Sequence, residues 1–131
     1  MDARVRHFLE NTVRSIVALD ATLFFQSNPE TFDTVHGLAM RIHYKASELE
    51  PALERLAARG ILDSFPRGDD RYRCYALSTR PEVWDLLCRL SEAYIDDPET
   101  RQEIVRLLIL IHAQEKAVSK RGEDDAKGMV E

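Results

Sequence analysis

Apolar residues recur at three- and four-residue spacing from near the start of the chain. Ile16, Leu19 and Leu23, widened by Val17, Phe24 and Phe25, mark a helix within residues 3–26. Asn11–Thr12 is read as a break that divides it into a short arm and a longer helix. Asn28–Pro29 ends it, because the residue before a proline is pushed out of the α region. Thr31–Phe32 is a short extended link. Asp33 or Thr34 then caps a helix through about Ile42, with Val35, Leu38, Ala39 and Ile42 on one face. His43–Tyr44–Lys45 is the turn. A third helix follows, opened by a capping box of Ser47 and Glu50, with Pro51 four residues in. Leu49, Leu53 and Leu56 form its buried stripe, and Gly60 sits where a left-handed cap wants glycine.

The period then changes. Ile61–Phe65 and Arg71–Leu77 read as strands, and residues 66–70 carry the turn chemistry of a hairpin. Thr79 and Glu82 spell a second capping box, with Pro81 early in a helix that carries Val83, Trp84, Leu87, Leu90 and Tyr94. Asp97 caps a last helix with Pro98 at its first position, running to about Val118. The tail from Ser119 is charged and contains glycine, and reads as disordered.

Two helices joined by a three-residue turn, then a hairpin after a capping glycine, make the winged-helix plan. The expected fold is mainly α (α+β): a winged helix-turn-helix with a two-stranded wing and flanking helices at both ends. Residues 1–78 form the winged-helix domain with its N-terminal helix, residues 79–118 a C-terminal helical pair for packing and dimerisation, and residues 119–131 the tail. Particular residues carry a family resemblance: T-V-x-x-L-A at Thr34–Ala39, the leucines at 49, 53 and 56, G-I-L at Gly60–Leu62 and Y-A-L at Tyr75–Leu77. These resemble bacterial winged-helix regulators of the MarR and ArsR type over roughly residues 12–78. The resemblance implies a DNA-binding transcriptional regulator. The chain departs from that family in two places, holding His43 where the turn usually has glycine and Lys45 where Ser or Thr usually caps the third helix.

Stepping 100° per residue from the leucine stripe puts Ser47, Pro51, Glu54 and Ala58 on the outer face of the third helix, with Arg55 at its edge. Major-groove readers are usually Arg, Lys, Asn or Gln, so this face reads bases poorly. Glu54 can accept from a cytosine amino group and Ser47 can bond to almost any base edge. Glu48, Glu50 and Glu54 have a plainer reading as a solvated face that complements the helix dipole. Arg71 and Arg73 are two apart on a strand and share a side, with Arg67 near the tip. They suit phosphates or a minor groove, or else pair with Asp63, Asp69 or Asp70. Arg41 and Lys45 flank the turn and add backbone contacts. The candidate DNA contacts are therefore Arg41, Lys45, Ser47, Glu54, Arg55, Arg67, Arg71 and Arg73, with affinity coming mainly from wing and backbone contacts. The alternative is a protein-interaction module that docks through the third helix or wing without DNA.

The last helix is apolar nearly all round. Ile104, Leu107, Leu108 and Ile111 form one stripe, and Val105, Ile109 and Leu110 extend it. One side packs on its own domain and the other needs a partner. A two-fold copy through Ile104, Leu107, Leu108 and Ile111 is the expected homodimer interface. The competing reading is a central helix wrapped within one subunit.

Composition narrows the classes further. The hydrophobic fraction of 44% and charged fraction of 31% are ordinary for a globular domain. Met1–Arg6 reads as the start of an amphipathic helix and not as a signal peptide, and the apolar run Leu107–Ile111 is far too short to span a bilayer. No membrane association is expected. Cys74 and Cys88 read as two buried thiols in a reducing cytoplasm. The net charge of −5 is uneven: basic and acidic residues balance over 1–80, and the whole acidic excess falls in 81–131. An acidic partner would meet the first part. There is no G-x-S-x-G, no glycine-rich phosphate loop and no H-E-x-x-H. His7, His36, His43 and His112 are scattered, so no catalytic or metal residues and no cofactor are assigned. Trp84 and Tyr94 read as core or dimer packing, and Arg67–Gly68–Asp69 as a chance adhesion tripeptide.

Overall fold

The computed structural model describes the backbone of residues 1–67 and 72–130, and side chains over 1–66 and 73–118. Asp2 opens the first helix, α1 (Ala3–Phe8), its carboxylate accepting from the amides of Arg4 and Val5. A π-helical turn, Leu9–Val13, follows and ends at Arg14, whose φ is 62°. Ser15 then caps α2 (Ile16–Ser27), its hydroxyl accepting from the Ala18 amide at 3.1 Å. The break between arm and helix thus lies at Arg14–Ser15 and not at Asn11–Thr12. A serine hydroxyl at the cap satisfies an amide that Asn11, four residues earlier, does not reach. Arg14 also ties the joint to the last helix, donating to Glu115 at 2.7 and 2.9 Å.

Phe32–Thr34 is a strand, β1, where the sequence suggests only a link. Thr34 caps α3 (Val35–Ile42), accepting from the Gly37 amide at 3.2 Å. His43 ends α3 at φ 67°, and the Tyr44 amide folds back onto the Ala39 carbonyl at 3.1 Å. The third helix, α4, spans Ala46–Ala58. It starts at Lys45, which makes no side-chain cap bond, so Ser47 lies inside the helix and the Ser47–Glu50 capping box does not form. Pro51 is consequently the sixth helical residue, and its missing N–H forfeits about one backbone bond. Gly60 closes α4 at φ 79°. Its amide bonds to the Ala57 carbonyl at 3.0 Å and the Ile61 amide to the Leu56 carbonyl at 2.9 Å. That pair of bonds is the left-handed glycine closure expected from the sequence.

The hairpin follows as β2 (Leu62–Arg67) and β3 (Tyr72–Leu77), paired antiparallel with Phe65 opposite Cys74. β1 adds to the other edge of β3, with Phe32 opposite Ala76, giving the sheet order β1-β3-β2. The wing is two-stranded as expected, but its sheet has three strands. Pro66 is tolerated because β2 is an edge strand. α5 (Pro81–Ile95) begins at Arg80, again without a side-chain cap, so the Thr79–Glu82 box does not form either. Asp97 does cap the next helix, accepting from the amides of Glu99 and Thr100. Its carboxyl is held below the usual range by the Thr100 hydroxyl first, then by those amides. α6 (Pro98–Val130) continues beyond Val118, where the sequence reading ended it. Alanine, lysine, arginine and glutamate in this stretch favour helix, and only Gly122 and Gly128 oppose it.

A single apolar cluster joins the arm, the helix-turn-helix and the C-terminal helices. It includes Val5, Leu19, Phe25, Leu38, Leu53, Leu56, Leu87, Leu90, Ile104 and Leu108. Ile104, Leu108 and Ile111 are buried inside the chain, at 0, 1 and 7% exposure, and Leu107 is half-buried. The stripe proposed from sequence as a dimer surface is therefore the face that packs on its own chain. Among the described residues of α6 the exposed large apolar side chains are Ile109 and Leu110, at 58 and 57%, and Val118 further along. Cys74 is a buried free thiol, but Cys88 is only half-buried. No helix among the described residues is long and apolar enough to cross a membrane.

Candidate nucleic-acid interface

The leucine stripe of α4 is turned fully inward: Leu49, Leu53 and Leu56 are each 0% exposed. The geometry that buries them lifts Ser47, Pro51, Glu54, Arg55 and Ala58 onto the surface, as stepping around the helix requires. Glu48 and Glu50 are exposed beside them. The outer face of α4 carries no exposed Lys, Asn or Gln, and Arg55 is its one cation before the C-terminal Arg59. Lys45 is exposed at the N-terminal end of α4. Arg41, at the end of α3, is partly committed. Its guanidinium lies 5.0 Å over the Phe24 ring and 4.0 Å from the Asp33 carboxylate, which leaves one edge open to solvent.

The wing presents two different faces. Tyr75 and Leu77 of β3, with Leu62 of β2, point into the core. Arg73 shares their side by strand alternation but lies further out, where it is exposed. It donates to the Ser64 hydroxyl at 2.9 Å and forms no ion pair with a carboxylate among the described residues. The opposite face carries Phe32 and Phe65, whose rings stand 5.6 Å apart and are 55 and 43% exposed. Arg71 and the side chain of Arg67 lie outside the described residues, as do Gly68 and Asp69 of the tripeptide.

Tyr75 connects wing and helix. Burial first, then the charge of Glu54, pushes its phenol above the ordinary value, with Glu50 adding to the rise and Arg73 opposing it. The glutamates of α4 and the arginine of the wing therefore act on one hydroxyl. Sequence reasoning on isolated elements did not bring these groups together. The signal was the spacing of Tyr75 and Arg73 on one side of a strand leading out of the core.

No cluster of three or more His, Cys, Asp or Glu that could hold a metal occurs among the described residues. A groove of about 580 Å³ lies elsewhere, between α1 and α5, floored by Phe8, Ile61, Val83 and Leu86. Trp84 is 40% exposed, so it is neither fully core nor part of this surface.

No protein-family model matches the sequence, and neither does any curated protein. Among solved structures the chain is similar to a possible transcriptional regulator from Methanosarcina mazei Go1. The two are 14% identical, with a TM-score of 0.52 over 78% of this chain and 84% of that one. A transcriptional regulator from Thermotoga maritima aligns at 19% identity, a TM-score of 0.49, and 92% and 87% coverage. A MarR mutant from E. coli aligns at 16% identity, a TM-score of 0.46, and 92% and 96% coverage. The first of these carries the comparison, and at its level of identity the likeness concerns architecture alone: the chain has the winged helix-turn-helix fold, arranged as in that archaeal protein.

Proposed function

We propose that the chain is a DNA-binding transcriptional regulator that acts as a homodimer. It holds duplex DNA chiefly through wing and backbone contacts. The observation that supports this best is Arg73: an exposed guanidinium on β3, bonded to a neutral hydroxyl and to no described carboxylate. A guanidinium with no carboxylate partner among the described residues suits phosphate or minor-groove contact. Lys45 at the start of α4 and the open edge of Arg41 add charge on the turn, and the sequence supplies two further arginines, Arg67 and Arg71, between Phe65 and Arg73. Ser47, Glu54 and Arg55 are the base-facing candidates. This set gives weak base discrimination and strong dependence on salt. The dimer surface assigned in this reading is the outer face of α6, through Ile109 and Leu110 with Leu107 at its margin. Two copies offset the weakness of a single reading head.

The test is titration of a mixed-sequence duplex at low and moderate salt, with the wild type and with Arg71→Ala/Arg73→Ala. Salt-sensitive binding is expected, and the double variant should lose affinity and lower the salt slope by about two. Absence of binding even at low salt would remove the regulator reading. It would leave the exposed glutamates of α4 as the basis for a protein-docking module.

A further inference from the structure

We propose that Arg80 is a positioning residue that fixes the end of the DNA-facing helix α4 against the start of α5. Its value for DNA binding rests on the regulator reading above; the clamp itself does not. The guanidinium Nη2 donates to the Gly60 carbonyl at 2.7 Å, and Nε approaches the Ser78 hydroxyl at 3.4 Å. Gly60 is the left-handed residue that closes α4, so its carbonyl lies at the negative end of the helix dipole. A cation there is favourable. A Cβ added at Gly60 would fall on Arg80 Nη2, so the guanidinium occupies the space that the missing side chain leaves.

The same residue holds the other helix by its backbone. The Arg80 carbonyl accepts from the amides of Val83 and Trp84 at 3.1 and 3.3 Å, as the first residue before α5. Only Ser78, Thr79 and Arg80 separate β3 from α5. The Ser78 amide bonds to the Ile61 carbonyl at 3.0 Å, one residue beyond Gly60. The start of α5 is thus fastened to the end of α4 at two adjacent carbonyls, one through backbone and one through Arg80. α5 leads directly into α6, which bears the proposed dimer face. Arg80 therefore stands on the shortest path between the helix that meets DNA and the platform that sets its distance from a second copy. Glu82, 3.8 Å from Nη1, is the nearest carboxylate and is too exposed to hold the guanidinium away from Gly60.

The experiment compares the wild type, Arg80→Ala and Arg80→Lys by amide hydrogen exchange and by titration with a mixed-sequence duplex. In Arg80→Ala the amides of Gly60, Ile61 and Ser78 should exchange about fivefold faster, the scale of one solvent-exposed hydrogen bond, while that of Asn28 is unchanged. Duplex affinity should fall about fivefold with the same salt slope and the same active fraction in a stoichiometric titration. Arg80→Lys, which reaches Gly60 but not Ser78 as well, should recover part of both effects. Unchanged exchange at Gly60 and Ile61 overturns the clamp. A salt slope reduced by about one makes Arg80 a phosphate contact instead. A smaller active fraction at unchanged affinity makes it merely structural. If the wild type binds no duplex, the regulator reading falls while the exchange data still decide the clamp.

Discussion

The phenol of Tyr44 donates to the carboxylate of Asp20, joining the turn of the helix-turn-helix to α2. Burial, reinforced by Asp20, pushes the Tyr44 pKa up to about 12. This bond ties down the turn between α3 and α4, because Tyr44 directly follows the left-handed residue that ends α3.

The raised pKa fixes the sign of a pH effect. The folded form holds the Tyr44 proton more tightly than the unfolded chain, so the stabilisation is complete below about pH 10 and is lost as pH rises toward 12. Tyr44→Phe should cost about 1–2 kcal/mol near neutral pH and flatten the decline above pH 10. Denaturant melts across that range, with tyrosinate absorbance of both proteins, would check it. Equal declines in wild type and variant would show that another group is responsible.

Much of this architecture is legible along the chain. Leu49, Leu53 and Leu56 announce α4 by period, Gly60 announces its end, and the hairpin follows from the shift to strand residues. Local patterns fail where the deciding partner is distant. Phe32–Thr34 is a strand only because β3 offers it an edge more than forty residues later. Arg14 breaks the N-terminal helix because Ser15 recaps it and Glu115 holds its side chain. In α6, apolar residues all round the cylinder do not show which side is the inner one; the chain itself covers Ile104, Leu108 and Ile111. The candidate site is legible as a list of exposed groups. What the chain alone does not disclose is that the charges of Glu50, Glu54 and Arg73 all bear on the Tyr75 phenol.

Two of the residues at positive φ, those that close α3 and α4, should respond in opposite ways. His43 sits at φ 67° and Gly60 at φ 79°. A side chain there costs about 1–2 kcal/mol, offset in part by the greater freedom of unfolded glycine. His43→Gly should therefore stabilise the fold by about 0.5–1 kcal/mol, and Gly60→Ala should destabilise it by about 1–2 kcal/mol. Gly60→Ala must also displace the Arg80 guanidinium. Thermal melts of the two variants give both signs, and a stabilising Gly60→Ala would contradict the closure described for α4.

The start of α4 offers a second gain. Lys45 occupies the cap without making a side-chain bond, while Ser47, which has capping chemistry, lies two residues too late. Lys45→Ser should add about 1 kcal/mol of stability, and Ser47→Ala should cost little. If Lys45 also contacts phosphate, the same Lys45→Ser variant should bind duplex DNA more weakly and lower the salt slope by about one. Melting and titration of one variant would then move in opposite directions, which a purely structural lysine would not produce.

α6 separates core from interface within a few residues. Leu108 is buried against the chain itself, whereas Ile109 and Leu110 are more than half exposed. Leu108→Ala should destabilise the protomer by about 2–4 kcal/mol through the cavity it leaves. Ile109→Glu/Leu110→Glu should leave secondary structure intact, because those side chains are more than half exposed and lose little packing within the chain. If the outer face of α6 joins two copies, the glutamates bury like charge against like charge, and sedimentation should show the assembly dissociating to monomers. Duplex affinity should fall along with the assembly, since each copy then contributes its wing alone. A glutamate variant that keeps the assembly state of the wild type would place the contact between copies on another surface.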